Sequence, residues 1–215
     1  MHSAKLIHCT PDAQELIVDM ARVSNPKNQG NSNTAPRLLR YLIKHKHWSP
    51  FEMASMAVEI NTTRAIAAQC LRHRSFSYQE FSQRYSAVSE LPAIELPMLR
   101  RQDLKNKQAS HDDLDPELVA TLQKQVARHY ASAQDLYELL LSNGVAKECA
   151  REVLPLGTPT RLYMHGTLRS WMHYIQIRAG IETQLEHRLI AEDCKRIFTE
   201  QFPVIAEAAF GEVES

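Results

Sequence analysis

Six glycines in 215 residues, none of them in a G-x-G-x-x-G or G-x-x-x-x-G-K-[ST] run, exclude the loops through which doubly wound nucleotide folds cradle phosphate. If this chain holds an anionic nucleotide, arginine, serine and histidine side chains must meet the phosphates. The same scarcity suits a protein that binds no nucleotide at all. The side chains therefore have to decide.

Between Arg72 and Tyr85 the chain reads R-H-R-S-F-S-Y-Q-E-F-S-Q-R-Y, with four cationic-capable side chains, three serines and one carboxylate in fourteen positions. Arginine forks grip phosphate or carboxylate oxygens in pairs, and hydroxyls fill the remaining lone pairs. If residues 77 to 85 are extended, the two-residue period puts Glu80, Ser82 and Arg84 on one face. Clustered Arg, Ser and Glu more often form a solvated surface. Here the cluster lies between the apolar runs Ala65 to Leu71 and Val88 to Leu91, and alternates with Phe76, Tyr78, Phe81 and Tyr85. That mixture suits a half-buried wall, and the segment reads as a site for a phosphorylated, polar ligand.

Twenty-five acidic and twenty-five basic residues give zero net charge. A nucleic-acid protein would carry a basic excess or stripe, so neither nucleic acid nor an anionic membrane is an expected partner. Cys9, Cys70, Cys149 and Cys194 share no C-x-x-C spacing and read as small hydrophobes in a reducing compartment. No apolar run approaches the ~20 residues that span a bilayer. Met1 to Thr10 lacks the basic-then-apolar pattern of a signal peptide, so a cytoplasmic protein is expected. The ten histidines include no H-E-x-x-H or H-x-x-x-H pair, and no metal is expected.

The length suits a single domain over residues 1–215. The pattern predicts a strand at Lys5 to Cys9, a helix from a cap at Asp12 to about Val23, a polar loop from Ser24 to Pro36 and a helix from Arg37 to His45. Ala54, Met56, Val58 and Ile60 alternate in a strand over Glu52 to Ile60. Asn61 or Thr62 then caps a helix through Leu71, which would put Gln69 and Arg72 on one face. A polar stretch runs from Arg100 to Asp115. Asp115-Pro116 opens the longest helix and Gly144 follows its end. Its stripe of Leu118, Leu122, Val126, Tyr130, Ala133, Tyr137 and Leu140 marks a core or subunit contact. A helix over Val145 to Val153 would let Glu148 pair with Arg151; a strand at Arg161 to Thr167 and helices at Leu168 to Ala179 and Thr183 to Gln201 complete the chain. The expected class is α+β, an antiparallel sheet packed with helices.

The Arg72 to Arg84 segment resembles the signature of the flavin-dependent thymidylate synthases, an R-H-R group followed at fixed spacing by S, N, S and R. Arg72, His73, Arg74, Ser77, Ser82 and Arg84 match it, while Gln79 stands where the family has Asn. His47-Trp48-Ser49-Pro50-Phe51-Glu52 resembles a second family run, H-x-[ST]-P-F-E, a resemblance that implies His47 and Glu52 as neighbours of the isoalloxazine. The run Ala150 to Leu156 resembles the segment whose arginine contacts the nucleotide, and Thr167-Leu168-Arg169 with His173 and Arg178 resembles the third family motif. The resemblance implies the thymidylate synthase-complementing protein fold, with FAD bound without a Rossmann domain. It implies methylation of dUMP to dTMP, with methylenetetrahydrofolate as one-carbon donor and FAD reduced by NADPH as hydride source. Cofactor contacts are implied at Ser49, Arg72, His73, Arg74, Glu80, Thr167, Leu168, Arg169 and His173. Substrate contacts are implied at Gln69, Cys70, Leu71, Arg72, Glu80, Phe81, Ser82, Gln83, Arg84 and Arg151. Arg178 is the implied catalytic residue, touching the uracil ring and promoting ionisation at N3. A homotetramer with sites built across subunits is implied as well.

The residues support that chemistry in part by themselves. Arg169 and His173 are four apart and share a helical face, whereas Arg178, nine beyond Arg169, lies about half a turn around at ~100° per residue. Uracil C5 is weakly nucleophilic, and a fixed guanidinium stabilises negative charge pushed into the ring. Ser82 has no adjacent His–carboxylate pair to activate it, so phosphate ligation beside Arg84 is the better role. The alternative is a non-catalytic nucleotide-binding module, which would purify without flavin colour. An RNA-binding patch over Arg72 to Arg84 is the weakest reading for a chain of zero net charge.

Overall fold

The computed structural model describes residues 2–211. In chain order its strands are β1 (Ser3–Cys9), β2 (Ser55–Thr63), β3 (Ser77–Glu80), β4 (Arg101–Gln102), β5 (Ser110–His111) and β6 (Pro159–Thr167). Its helices are α1 (Ala13–Ala21), α2 (Ala35–Lys44), α3 (Arg64–Cys70), α4 (Pro116–Ser142), α5 (Lys147–Ala150), α6 (Leu168–Arg178), α7 (Leu185–Gln201) and α8 (Pro203–Phe210). Two compact units divide these residues. The larger comprises His2–Ile60, Leu71–Gln79 and the described residues from Tyr163 onward; the smaller comprises Asn61–Cys70 and Glu80–Leu162.

One sheet has the strand order β1-β2-β6-β3. Leu168 N donates to Ala54 O, and Arg64 N to Thr158 O, so residue numbers climb along β2 as they fall along β6. That is antiparallel pairing, and with the helices it makes the α+β architecture expected.

In the larger unit Met56, Val58 and Ile60 are fully buried, as their alternation predicts. The strand starts later than expected because Ser49–Glu52 coils into a 3-10 turn with Pro50 in its first positions. At its far end β2 runs on to Thr63. Thr62, read from sequence as a helix cap, is a buried strand residue, and Thr63 Oγ1 instead accepts from Ile66 N at 3.4 Å. Because α3 stops at Cys70, Gln69 and Arg72 do not share a helical face.

Asp12 precedes α1 with φ of 48° and makes no side-chain cap; its carbonyl accepts from Leu16 N at 2.9 Å. The polar Ser24 to Pro36 stretch is ordered by a buried cation. Arg22 donates to Asn28 O, Asn31 O and Thr34 Oγ1 at 2.9, 2.6 and 2.7 Å, and two 3-10 turns form around it. Helix α6 is pinned to β2 by Trp171 Nε1, which donates to Met56 O at 2.8 Å in the core. Helix α7 packs on β1 and α6, and α8, not separated by periodicity, packs on α7 and α2.

In the smaller unit Asp115 Oδ1 accepts from Leu118 N at 2.9 Å and caps α4, and Gly144 past its end has φ of 79°. Of the predicted stripe only Ala133 and Tyr137 are buried, while Leu118 and Leu122 stay exposed. Tyr137, Val88 and Ala150 form a small core with Leu140, Leu141, Val145, Val153 and Leu154 packed against it. Val88 N donates to the Tyr137 hydroxyl at 3.3 Å. The Arg100 to Asp115 stretch folds into the β4–β5 hairpin, closed by Arg101–Asp113 and His111–Asp103 pairs. No helix among the described residues is long and apolar enough to cross a membrane.

Candidate functional site

The first turns of α6 project their polar side chains into a cavity of about 360 Å³ in the larger unit, lined by Trp48, Glu52, Ser75, Arg169, Ser170, Met172, His173 and Gln176. Thr167 starts the helix there, its Oγ1 accepting from Ser170 N at 3.3 Å, and so aims Arg169 and His173 to one side. Arg169 Nη1 pairs with Glu52 Oε1, and Ser170 Oγ donates to Ser75 O at 3.4 Å. The four-residue spacing of Arg169 and His173 therefore delivers what it predicts. Guanidinium, imidazole, hydroxyl and amide groups beside Trp48 suit a polar, anionic ligand with a flat ring.

One side of α6 further on, Arg178 Nε donates to His73 Nε2 at 2.9 Å. Burial, then the charges of Arg178 and His173, push His73 down to about 4. Burial, then Arg178 and His73, push His187 down to about 3. Both imidazoles are thus neutral near pH 7, and His73 is free to accept. Among the described residues Arg178 has no carboxylate partner. Ser49, Arg72 and Arg74 are exposed, whereas Leu168 lies fully buried, its backbone N donating to Ala54 O at 2.9 Å.

The smaller unit gathers the remaining predicted residues. Glu80 is mostly buried, and its Oε1 accepts from both Arg64 Nη1 and, at 2.9 Å, Thr160 Oγ1. A cavity of about 280 Å³ is lined by Arg64, Gln83, Arg151, Glu152, Leu154, Pro155, Leu156 and Thr158. Gln83 is buried, and its Nε2 has no hydrogen-bond partner among the described residues. Gln69 and Phe81 are partly buried, Cys70 fully buried and Leu71 exposed. Phe81 N donates to Arg161 O at 2.8 Å.

Two expectations about this region fail. The chain is extended only to Glu80, since Ser82 O accepts from Tyr85 N and Ser86 N in a turn. Glu80, Ser82 and Arg84 therefore do not form one strand face. Glu148 does not pair with Arg151 but with Arg84, at 2.8 Å, because the helix ends at Ala150; Arg151 Nε lies 3.9 Å from Glu152.

Sequence reasoning missed Arg64 and Thr160, the partners of Glu80. They lie sixteen and eighty positions away, and strand pairing alone joins them. Ser170 was closer to view, three residues after a helix-capping threonine. Among the described residues no group of three or more His, Cys, Asp or Glu side chains is placed to hold a metal ion.

Comparison with known proteins bears on the chain as a whole. The family described as thymidylate synthase complementing protein matches residues 5–204. A probable flavin-dependent thymidylate synthase of Paramecium bursaria Chlorella virus 1 is 50% identical over 213 residues, 96% of this chain and 98% of its own. A flavin-dependent thymidylate synthase of Synechocystis sp. is 51% identical over 193 residues, 90% of this chain and 87% of its own. In three dimensions the chain is similar to a UMP/dUMP methylase, PolB from Streptomyces cacaoi, in a crystal with 5-Br dUMP. That TM-score is 0.85 at 27% identity, covering 100% of this chain and 98% of the other. A fold without glycine loops, polar side chains converging in each unit and these full-length likenesses lead to one conclusion: the chain belongs to the thymidylate synthase complementing protein family, that of the flavin-dependent thymidylate synthases.

Proposed function

We propose that this chain methylates dUMP to dTMP, with methylenetetrahydrofolate as one-carbon donor and FAD reduced by NADPH. Family membership and the likeness to a UMP/dUMP methylase support the substrate class. The observation that carries the reading is Arg178, a half-buried guanidinium held by a neutral imidazole and, among the described residues, with no carboxylate to cancel its charge. Such a cation suits a pyrimidine ring that becomes anionic as it reacts.

The larger-unit cavity fits part of a flavin nucleotide by its donor set. Arg169, His173, Ser75 and Gln176 offer hydrogen bonds to phosphate and polyol oxygens, and Trp48 lines the same cavity with an aromatic ring. Ser49, Arg72, His73, Arg74, Thr167, Leu168, Arg169 and His173 are assigned to hold it, as is Glu80, oriented by Arg64 and Thr160. When bound, the flavin supplies the hydride that no side chain can deliver. The chain's own residues bind and orient. Ser82, Gln83, Arg84 and Arg151, with Gln69 to Arg72, are assigned to the nucleotide, and Arg178 stabilises charge leaving N3 for the ring. The same reading has the chain acting as a single domain in a cytoplasmic homotetramer whose sites are completed by neighbouring subunits.

Incubation with C5-tritiated deoxyuridylate, the folate donor and NADPH tests the reading. Release of tritium by yellow, flavin-loaded protein is the expected result. Nucleotide binding by colourless protein that releases none would establish a binding module instead.

A further inference from the structure

Arg178 is asked to present its full charge to a ligand, yet it must also be held still. A carboxylate partner would hold it firmly but cancel the charge. The larger unit uses His73 instead, whose Nε2 accepts from Arg178 Nε at 2.9 Å. An acceptor nitrogen at that position requires the tautomer protonated on Nδ1.

His73 is itself boxed in by rings. Tyr174 stands edge-on to it, ring centres 4.9 Å apart and planes at 80°. Phe76 closes another side at 6.4 Å and 85°, and is packed against Trp171 at 4.8 Å. Behind Tyr174 lies His187, fully buried, its Nε2 3.1 Å from the Tyr174 hydroxyl. The His187 ring also reaches within 6.4 Å of His73. A phenylalanine and a leucine would fill the same volume without any polar group to satisfy. A buried hydroxyl–imidazole bond does what they would not: it fixes the angle of a ring that apolar contacts leave free to tilt.

We propose that Tyr174 and His187 are positioning residues for Arg178: their hydrogen-bonded pair sets the plane of His73, and His73 holds Arg178 Nε so that the terminal guanidinium nitrogens face the ligand. This role rests on the proposed part of Arg178 in the reaction. Burial and the field of Arg178 keep both imidazoles uncharged, so neither repels the cation it supports.

Three variants of the flavin-loaded protein test the arrangement. Tyr174→Phe and His187→Leu are expected to lower kcat about tenfold while leaving the Kd for dUMP within about twofold. His187→Gln, whose amide oxygen can accept from the Tyr174 hydroxyl, is expected to recover most of the loss. Imidazole nitrogen NMR at neutral pH on flavin-free protein reads His73 directly, with its proton on Nδ1 in the wild type and mixed tautomers in the two damaging variants. Tyr174→Phe removes one oxygen and serves should His187→Leu not fold. Unchanged kcat in folded Tyr174→Phe, equal losses in kcat and affinity without rescue, or a wild-type His73 protonated on Nε2 would each overturn the role. Wild-type protein that releases no tritium would defeat the proposed reaction instead, and the NMR outcome would still judge the geometry.

Discussion

Gln83 carries a buried amide nitrogen with no partner among the described residues, and a buried unpaired donor costs about 1–3 kcal/mol. Replacing it with a methionine of similar length removes that cost. Gln83→Met is therefore expected to raise Tm by a few degrees. If the amide serves the nucleotide, the same change weakens dUMP binding about tenfold in a calorimetric titration. Stability up and affinity down is the signature; a drop in both would place the amide in the service of the fold. Arg178→Lys keeps the charge but loses the planar fork and the Nε that His73 holds. Turnover is expected to fall roughly a hundredfold and dUMP affinity only a few-fold, compared through kcat and Kd. Equal losses would remove the charge-stabilising role. At this scale the sequence was informative where partners share a helix, as Arg169 and His173 do. It was silent on Arg64 and Glu80, which adjoin only because the strands beside them pair.

Gly166 shows how an element's packing reaches the site. A Cβ there would come 2.5 Å from Phe76 Cδ1, closer than real contacts allow, so the β6 backbone and the Phe76 ring abut only because residue 166 has no side chain. Gly166→Ala is expected to destabilise by about 1–3 kcal/mol, read as a lower urea midpoint at unchanged slope. Because Phe76 borders His73, the variant should also disturb the His73 resonance, and a silent spectrum would argue against the ring box. Elements with local punctuation were legible. Helix α4 has Asp115 to cap it, Pro116 in its first turn and Gly144 beyond its end. A boundary without such marks was misplaced, since β2 runs through Thr62 because its alternation continues in the core, and α8, with Pro203 in its first turn, was not foreseen.

For the whole molecule, acidification offers a test of the buried imidazoles. His73 and His187 sit near 4 and 3 in the folded chain against an ordinary 6.5. Between those values the unfolded chain binds the protons and the folded chain refuses them, so stability increases with pH across that window. It is full above about 6.5 and is lost progressively as pH falls toward 3. His187→Leu should flatten the pH dependence of the urea midpoint over this range; an unaltered slope would assign the effect to other groups. Assembly is a second test. Leu118, Leu122, Leu136 and Leu139 are exposed on α4 and fall within about 100° of arc at ~100° per residue. Sedimentation is expected to give four times the 24.6 kDa chain, and Leu122→Glu with Leu136→Glu to give smaller species. A monomeric wild type would sink the shared-site reading.

Composition and local order determined the class of the chain: an α+β protein without glycine loops, whose arginine, serine and histidine clusters must hold anions through side chains. They could do so because spacing along a helix or strand is a property of neighbours in sequence. Which cation meets which acceptor was decided only in three dimensions. Arg178 on His73, Arg64 on Glu80 and Arg84 on Glu148 are pairs separated by 105, 16 and 64 positions. A charge can be paired by any opposite or accepting group within reach, and reach is set by how strands register and helices pack.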